Sequence, residues 1–225
     1  MNTSLKNERI VAHKRVFGLM EFYFDLAYLA LALVMGIYML SHEAESLFLP
    51  GIAALILVFG DAFHLVPRMA SIVSKRPERF RIALGIGKLV TSITMSVFYL
   101  ILWYILTIHL TIPHERYMSA IMAALCGIRI LFCFQKENEW LEEEPDVRYG
   151  IIRNIPFFIM GLITAVAALV FGSGGHFFLV GIAVLLSFLF YTPVVLYVHK
   201  NRKLGMLMLP KSLAYLWILY LLMSL

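Results

Sequence analysis

Seven stretches of nearly unbroken apolar residues alternate with short polar segments along the chain, at roughly 18–40, 47–67, 82–108, 116–134, 154–172, 176–198 and 204–225. Each is close to the ~20 residues that an α-helix needs to cross the hydrocarbon core of a bilayer. The runs are continuous and lack the strict apolar–polar alternation of membrane strands, so the pattern predicts helices. The expected fold class is all-α: a polytopic membrane protein with a seven-transmembrane-helix bundle. The connections, such as Gly172-Ser173-Gly174-Gly175 and His199-Lys200-Asn201-Arg202, are too short to hold a soluble domain. Residues 18–225 therefore read as one membrane domain, preceded by a basic segment at 1–17 that suits the inner membrane surface or a solvated tail equally well.

Composition agrees. The chain is 61% hydrophobic and 15% charged, with a mean hydropathy of +0.85, whereas soluble domains are about half apolar. The first span carries Glu21 and Asp25 and no small-residue cleavage site behind a clean apolar core, so it is expected to stay as a signal anchor.

The net charge of +5 gains meaning from its distribution. Placing alternate loops on alternate sides gathers fifteen of the 19 Lys and Arg residues on one face, leaves Arg116 on the other, and puts Lys88, Arg129 and Lys211 inside spans. The positive-inside rule then predicts a cytoplasmic N-terminus and an external C-terminus. The expected home is the plasma membrane, with membrane lipids as partners and no nucleic acid. The loop at about 135–152 adds an acidic patch, including Glu137, Glu139, Glu142, Glu143, Glu144 and Asp146, which reads as a solvated loop or a docking element. Cys126 and Cys133 stand seven residues apart, about 10.5 Å along a helix, too far to bridge each other.

The same topology gives every polar residue in a span a depth. Glu21, Asp25, Asp61, His64, Lys88, Arg129, Arg153 and Lys211 all fall in the cytoplasmic half. Ionisable groups there are costly, which makes them functional candidates, and the in-span acids Glu21, Asp25 and Asp61 are matched by Lys88, Arg129 and Lys211. Glu21 and Asp25 are i, i+4 and Asp61 and His64 are i, i+3, so each pair shares a helix face that should point inward. A helix-stapling network is one reading; a polar cavity open to the cytoplasm is the preferred one. Pro67 is expected to end the second span with Arg68 facing the phosphate layer, Pro210 to kink the seventh so that Lys211 turns inward, and Tyr191-Thr192-Pro193 to break the sixth. Phe98, Tyr99, Trp103 and Tyr104 are expected at the outer interface. With no His-x3-His pair and no second imidazole near His64, neither a metal nor another cofactor is expected.

Gly60-Asp61-Ala62 followed by Leu65, Pro67 and Arg68, a glycine-containing third span with Phe98-Tyr99, and a late Val180-Gly181 span with Leu185-Leu186 before a basic turn together resemble the lysoplasmalogenase-like YhhN membrane family. The family has eight spans where seven are counted here, and Ser187-Phe188 stands where its second acid would be. The resemblance implies a vinyl-ether lysophospholipid substrate, with Asp61 as general acid and His64 or Asp25 directing water. Lys88, Arg129, Arg153 and Lys211 would hold the phosphate, with Glu21 and Tyr191 completing the substrate site. The same cavity equally suits a proton-coupled transporter or a small-molecule-binding protein. A retinal protein attached at Lys211 is disfavoured, because the third span has no acid to serve as counter-ion.

Overall fold

The computed structural model describes residues 2–142 and 146–225, with side chains from Phe17 onward, Arg202 excepted. Glu143 and Glu144 of the acidic loop, and the side chains of the basic segment ahead of Phe17, lie outside the described residues. The described chain is all-helical: α1 (Asn2–Ser41), α2 (Glu45–Val73), α3 (Arg81–His109), α4 (Glu115–Cys133), α5 (Val147–Phe171), α6 (His176–Tyr197) and α7 (Met208–Leu222). Tight 3-10 turns at Pro77–Phe80, Lys136–Asn138 and Arg202–Leu207 link them. Among the described residues, seven segments are long and apolar enough to cross a membrane, the first running from Phe17 to Ser41.

Each helix packs against its neighbour in sequence, and α7 returns to α1, closing a ring; α3 also reaches α5, and α7 reaches α2. Short turns enforce this order, since they leave consecutive helices no choice but to lie antiparallel side by side. Leu26, Val34, Phe59, Ile86, Leu131, Leu162, Val170 and Leu189 point outward. Such a belt would be a liability in water and is what a lipid-facing surface requires.

Three boundaries differ from the sequence reading. Pro67 does not end α2, which continues to Val73. A proline inside a helix strips the carbonyl four residues back of its N–H partner, here Phe63, and membrane bundles tolerate this when a neighbour covers the freed group. Gly87 of α3 supplies the cover: a Cβ at Gly87 would run into the Phe63 carbonyl and lie 2.7 Å from the His64 Cα. One level deeper, Thr91 donates to the Gly60 carbonyl at 2.7 Å. Small residues thus let the α2 and α3 backbones approach closely. Secondly, α5 starts at Val147, seven residues before the predicted 154, because the Asp146 side chain caps it by accepting from the Arg148 N–H at 2.8 Å. Thirdly, α7 starts at Met208, directly after the 3-10 turn Arg202–Leu207, so Pro210 falls in its first turn, where a missing N–H costs nothing, and Lys211 is buried.

The aromatic residues of α3 are also placed differently. Phe98, Tyr99 and Trp103 are buried, and only Tyr104 of that group faces out. The cause is the position of α3, which touches α2, α4 and α5 and so has a wide inner face. Tyr99 lies 3.2 Å from the Ser187 hydroxyl and 3.4 Å from that of Tyr215, while Trp103 donates to Ser119 at 2.9 Å. The buried polar tips of these aromatics therefore have partners. Cys126 and Cys133 are buried free thiols.

Candidate functional site

The polar side chains within the spans gather at the end of the bundle where α1, α3, α5 and α7 begin and α2, α4 and α6 finish. They separate into an acidic side on α1 and α2 and a cationic side on α4, α5 and α7.

On the acidic side, Asp25, Tyr28 and Ala32 follow one inward row of α1. Asp25 is 4% exposed, and its Oδ2 is buried without a hydrogen-bond partner. The Tyr28 hydroxyl donates to Asp61 Oδ2 across the α1–α2 contact at 2.6 Å. Asp25 lies within electrostatic reach of Asp61 and of Glu21 and Arg68. Two carboxylates from adjacent helices thus share one site, with one oxygen of Asp61 fixed by a phenol. Tyr28 is a member that sequence reasoning missed; its signal was present, since it stands three residues after Asp25 and so on the same face.

His64 and Asp61 share a helix face as expected, but no hydrogen bond joins them. His64 Nδ1 is buried without a partner, and the surrounding charges are those of Lys88, Arg68 and Lys211. Glu21 leaves the cluster for the rim, where Arg68 donates to it through Nε at 2.6 Å and Nη2 at 3.2 Å. Among the described residues this is the ion pair in direct contact, and it holds Arg68 at the rim. The pair is partly solvated, and such pairs contribute about 1 kcal/mol or less. Accordingly, Glu21→Gln is expected to shift the unfolding free energy by less than ~1 kcal/mol, measured by denaturation in mild detergent; a larger loss would assign Glu21 a place in the buried network.

The cationic side is built on Arg129, which is 2% exposed. Its Cζ lies 3.6 Å above the Phe157 ring, and its Nη2 reaches Asn154 Oδ1 at 3.4 Å. Tyr191 from α6 donates to the same oxygen at 3.1 Å. Asn154 is fixed in turn by donating to the Gly150 carbonyl at 2.8 Å. Lys211 is 8% exposed, with its ammonium 4.9 Å and 5.1 Å from the Tyr191 and Tyr215 rings. It feels the charges of Asp61 and Arg129 without touching either. The bridge between the two sides is therefore electrostatic.

Arg153 sits nearer the end of the bundle. Its guanidinium stacks 4.1 Å from the Trp140 ring and donates to Asn138 Oδ1. Asn138 uses its amide to donate to the carbonyls of Phe132, Cys133 and Gln135, which closes the C-terminus of α4. A cavity of about 80 Å³ opens beside Arg153, lined also by half-buried Trp140 and by exposed Lys88 and Asp146. Neither Asn138 nor Trp140 had a signal in the sequence, because both come from a polar loop whose path only the folded chain reveals. Among the described residues, no three His, Cys, Asp or Glu side chains are grouped to hold a metal ion.

Chemically, the site combines a carboxyl group positioned by a phenol, a second carboxylate with an unpartnered oxygen, and three cations. No protein-family model matches this chain, and no curated protein or solved structure matches it either.

Proposed function

We propose that this protein is a plasma-membrane hydrolase of vinyl-ether lysophospholipids, with its N-terminus and polar site toward the cytoplasm. The Lys and Arg bias supports the orientation. The observation that carries the chemistry is the Asp25–Asp61 pair, in which Tyr28 holds one oxygen of Asp61 and Asp25 keeps a buried oxygen without a partner.

Cleavage of a vinyl ether needs a proton delivered to carbon and then a base for water. Asp61, as the carboxylic acid, protonates the outer alkenyl carbon, and the electron pair of the double bond forms the new C–H bond. The oxocarbenium ion that results takes up water at the carbon bearing oxygen, while Asp25 accepts the proton that the water loses. The hemiacetal then splits: its hydroxyl proton leaves, the C–O bond to glycerol breaks, and the glycerol oxygen is protonated, releasing an aldehyde. Return of a proton to Asp61 completes the cycle. The cations provide for the phosphate. His64, beside Lys88, Arg68 and Lys211, is placed to act as an orienting group or base. The resemblance around Gly60-Asp61 supports this substrate class.

The test is mass spectrometry of the purified protein incubated with a vinyl-ether lysophospholipid and, separately, with its saturated alkyl-ether counterpart. A fatty aldehyde is expected from the first alone; recovery of intact vinyl-ether lipid would refute the hydrolase. A second reading, a proton-coupled transporter, is favoured by the unpartnered buried atoms Asp25 Oδ2 and His64 Nδ1, which could pass protons. It predicts uptake or efflux in proteoliposomes without lipid turnover.

A further inference from the structure

At the end of the bundle opposite the candidate site, a groove of about 250 Å³ opens on the outer surface. Leu49 of α2, Leu100, Ile101, Trp103 and Tyr104 of α3, and Ser119 of α4 line it. α3 touches both α2 and α4, so it forms the floor and the other two helices form the walls. Phe48 beside Leu49 and Ile108 one turn beyond Tyr104 are exposed, which sets the mouth of the groove in the apolar belt. An apolar cavity of ~150 Å³ already accepts a molecule the size of benzene, so this groove has room for a longer stretch of hydrocarbon. One polar atom interrupts the lining: Ser119 Oγ accepts from Trp103 Nε1 at 2.9 Å, and its own proton is left to donate into the groove.

The charged side chains at this end of the bundle are Glu43, Glu45, Glu115 and Arg116, all exposed. Arg116 stands three residues before Ser119 and Glu45 four residues before Leu49, so each lies one turn above a lining residue, on opposite walls. Among the described residues, no ion pair joins them. We propose that the groove holds an acyl chain of a zwitterionic phospholipid, drawn from the leaflet opposite the one that the candidate site faces, with its phosphate at Arg116 and its ammonium toward Glu45. Ser119, one turn below Arg116, is placed to donate to the ester carbonyl, which lies just below the phosphate in such a lipid. A sterol or fatty alcohol would leave both charges unanswered, and an anionic head group would set Glu45 against its own sign. The site is separate from the Asp25–Asp61 pair and does not rest on the proposed hydrolysis.

Trp103 in the floor provides the readout. The full chain in mild detergent is titrated with phosphatidylethanolamine brominated on its acyl chains, and with phosphatidylglycerol brominated in the same way. The ethanolamine lipid is expected to quench part of the tryptophan emission in a saturable way, and that part should be missing in Trp103→Phe. Ile101→Phe and Leu100→Phe fill the groove and should each weaken the response roughly tenfold or more, as the loss of one or two buried methylenes would. Reading both keeps the test decisive if one variant fails to fold. Arg116→Gln should weaken it about two- to fivefold, and Glu45→Gln should reduce the preference for ethanolamine over glycerol head groups. Quenching that rises without saturation, as from lipid merely surrounding the protein, would overturn the site, and so would an undiminished response in the folded groove-filling variants. Equal or tighter binding of the glycerol lipid to the wild-type chain would overturn the zwitterionic assignment.

Discussion

Asp61→Asn is expected to lower release of aldehyde from a vinyl-ether lysophospholipid by roughly 10²–10⁴-fold, the range that general acid catalysis supplies. An amide keeps the size and the acceptor oxygen for Tyr28, whose hydroxyl donates to Asp61 at 2.6 Å, but it cannot deliver a proton to carbon. The chemistry is removed while the local shape stays. One electrostatic side effect follows, because Lys211 loses the carboxylate it faces and remains with Tyr191, Tyr215 and Arg129. Stability should therefore fall, and turnover is to be compared on protein that elutes as a single folded species. Tyr28→Phe gives the companion result. It removes the hydrogen bond that fixes Asp61 while leaving the acid, so its loss of rate should be smaller than that of Asp61→Asn. Turnover in Asp61→Asn equal to wild type would remove Asp61 from the reaction.

Much of this architecture is legible in the amino-acid pattern, for a physical reason: a membrane helix must satisfy its own backbone, so a run of about twenty apolar residues has few other outcomes. The ends are less legible. Val147-Arg148-Tyr149-Gly150-Ile151-Ile152-Arg153 looks like loop by hydropathy, yet Asp146 caps it and the Arg153 guanidinium is covered by Trp140. Hydropathy also misplaces Phe98, Tyr99 and Trp103. An aromatic with a polar tip suits a membrane interface and a buried hydrogen-bonded core equally well, and only the central position of α3 decides between them.

The candidate site shows the same division. Helical periodicity correctly places Asp25 on an inward face, and it could have added Tyr28. Periodicity cannot say which helix lies opposite. The expectation that in-span acids and cations would pair is met at a distance by Asp61 and Lys211, while Glu21 pairs with Arg68 at the rim and Arg129 meets Asn154 and Phe157. Equal numbers of opposite charges in a sequence therefore do not guarantee neutral neighbourhoods. Here they give an acidic side on α1 and α2 and a cationic side on α4, α5 and α7.

The second large effect is expected at Gly87, and it comes from packing, not from charge. Replacing it with alanine should destabilise the protein by more than the ~1–3 kcal/mol usual for an overpacked site. The reason is that the added carbon meets backbone, not a movable side chain: the Phe63 carbonyl and, at 2.7 Å, the His64 Cα. That carbonyl is the one Pro67 deprives of its helical partner, so pushing α3 away also uncovers a polar group in an apolar setting. Gly127→Ala is the matched control. Its Cβ would meet nothing within 4 Å on an exposed face of α4, and a glycine-to-alanine change inside a helix normally gains up to ~1 kcal/mol. Unfolding of the two variants in the same detergent should therefore move in opposite directions. Because His64 and Lys88 flank the Gly87 contact, the Gly87 variant should also lose activity in whatever fraction remains folded. A Gly87→Ala protein as stable as wild type would mean that α2 and α3 do not cross as closely as described.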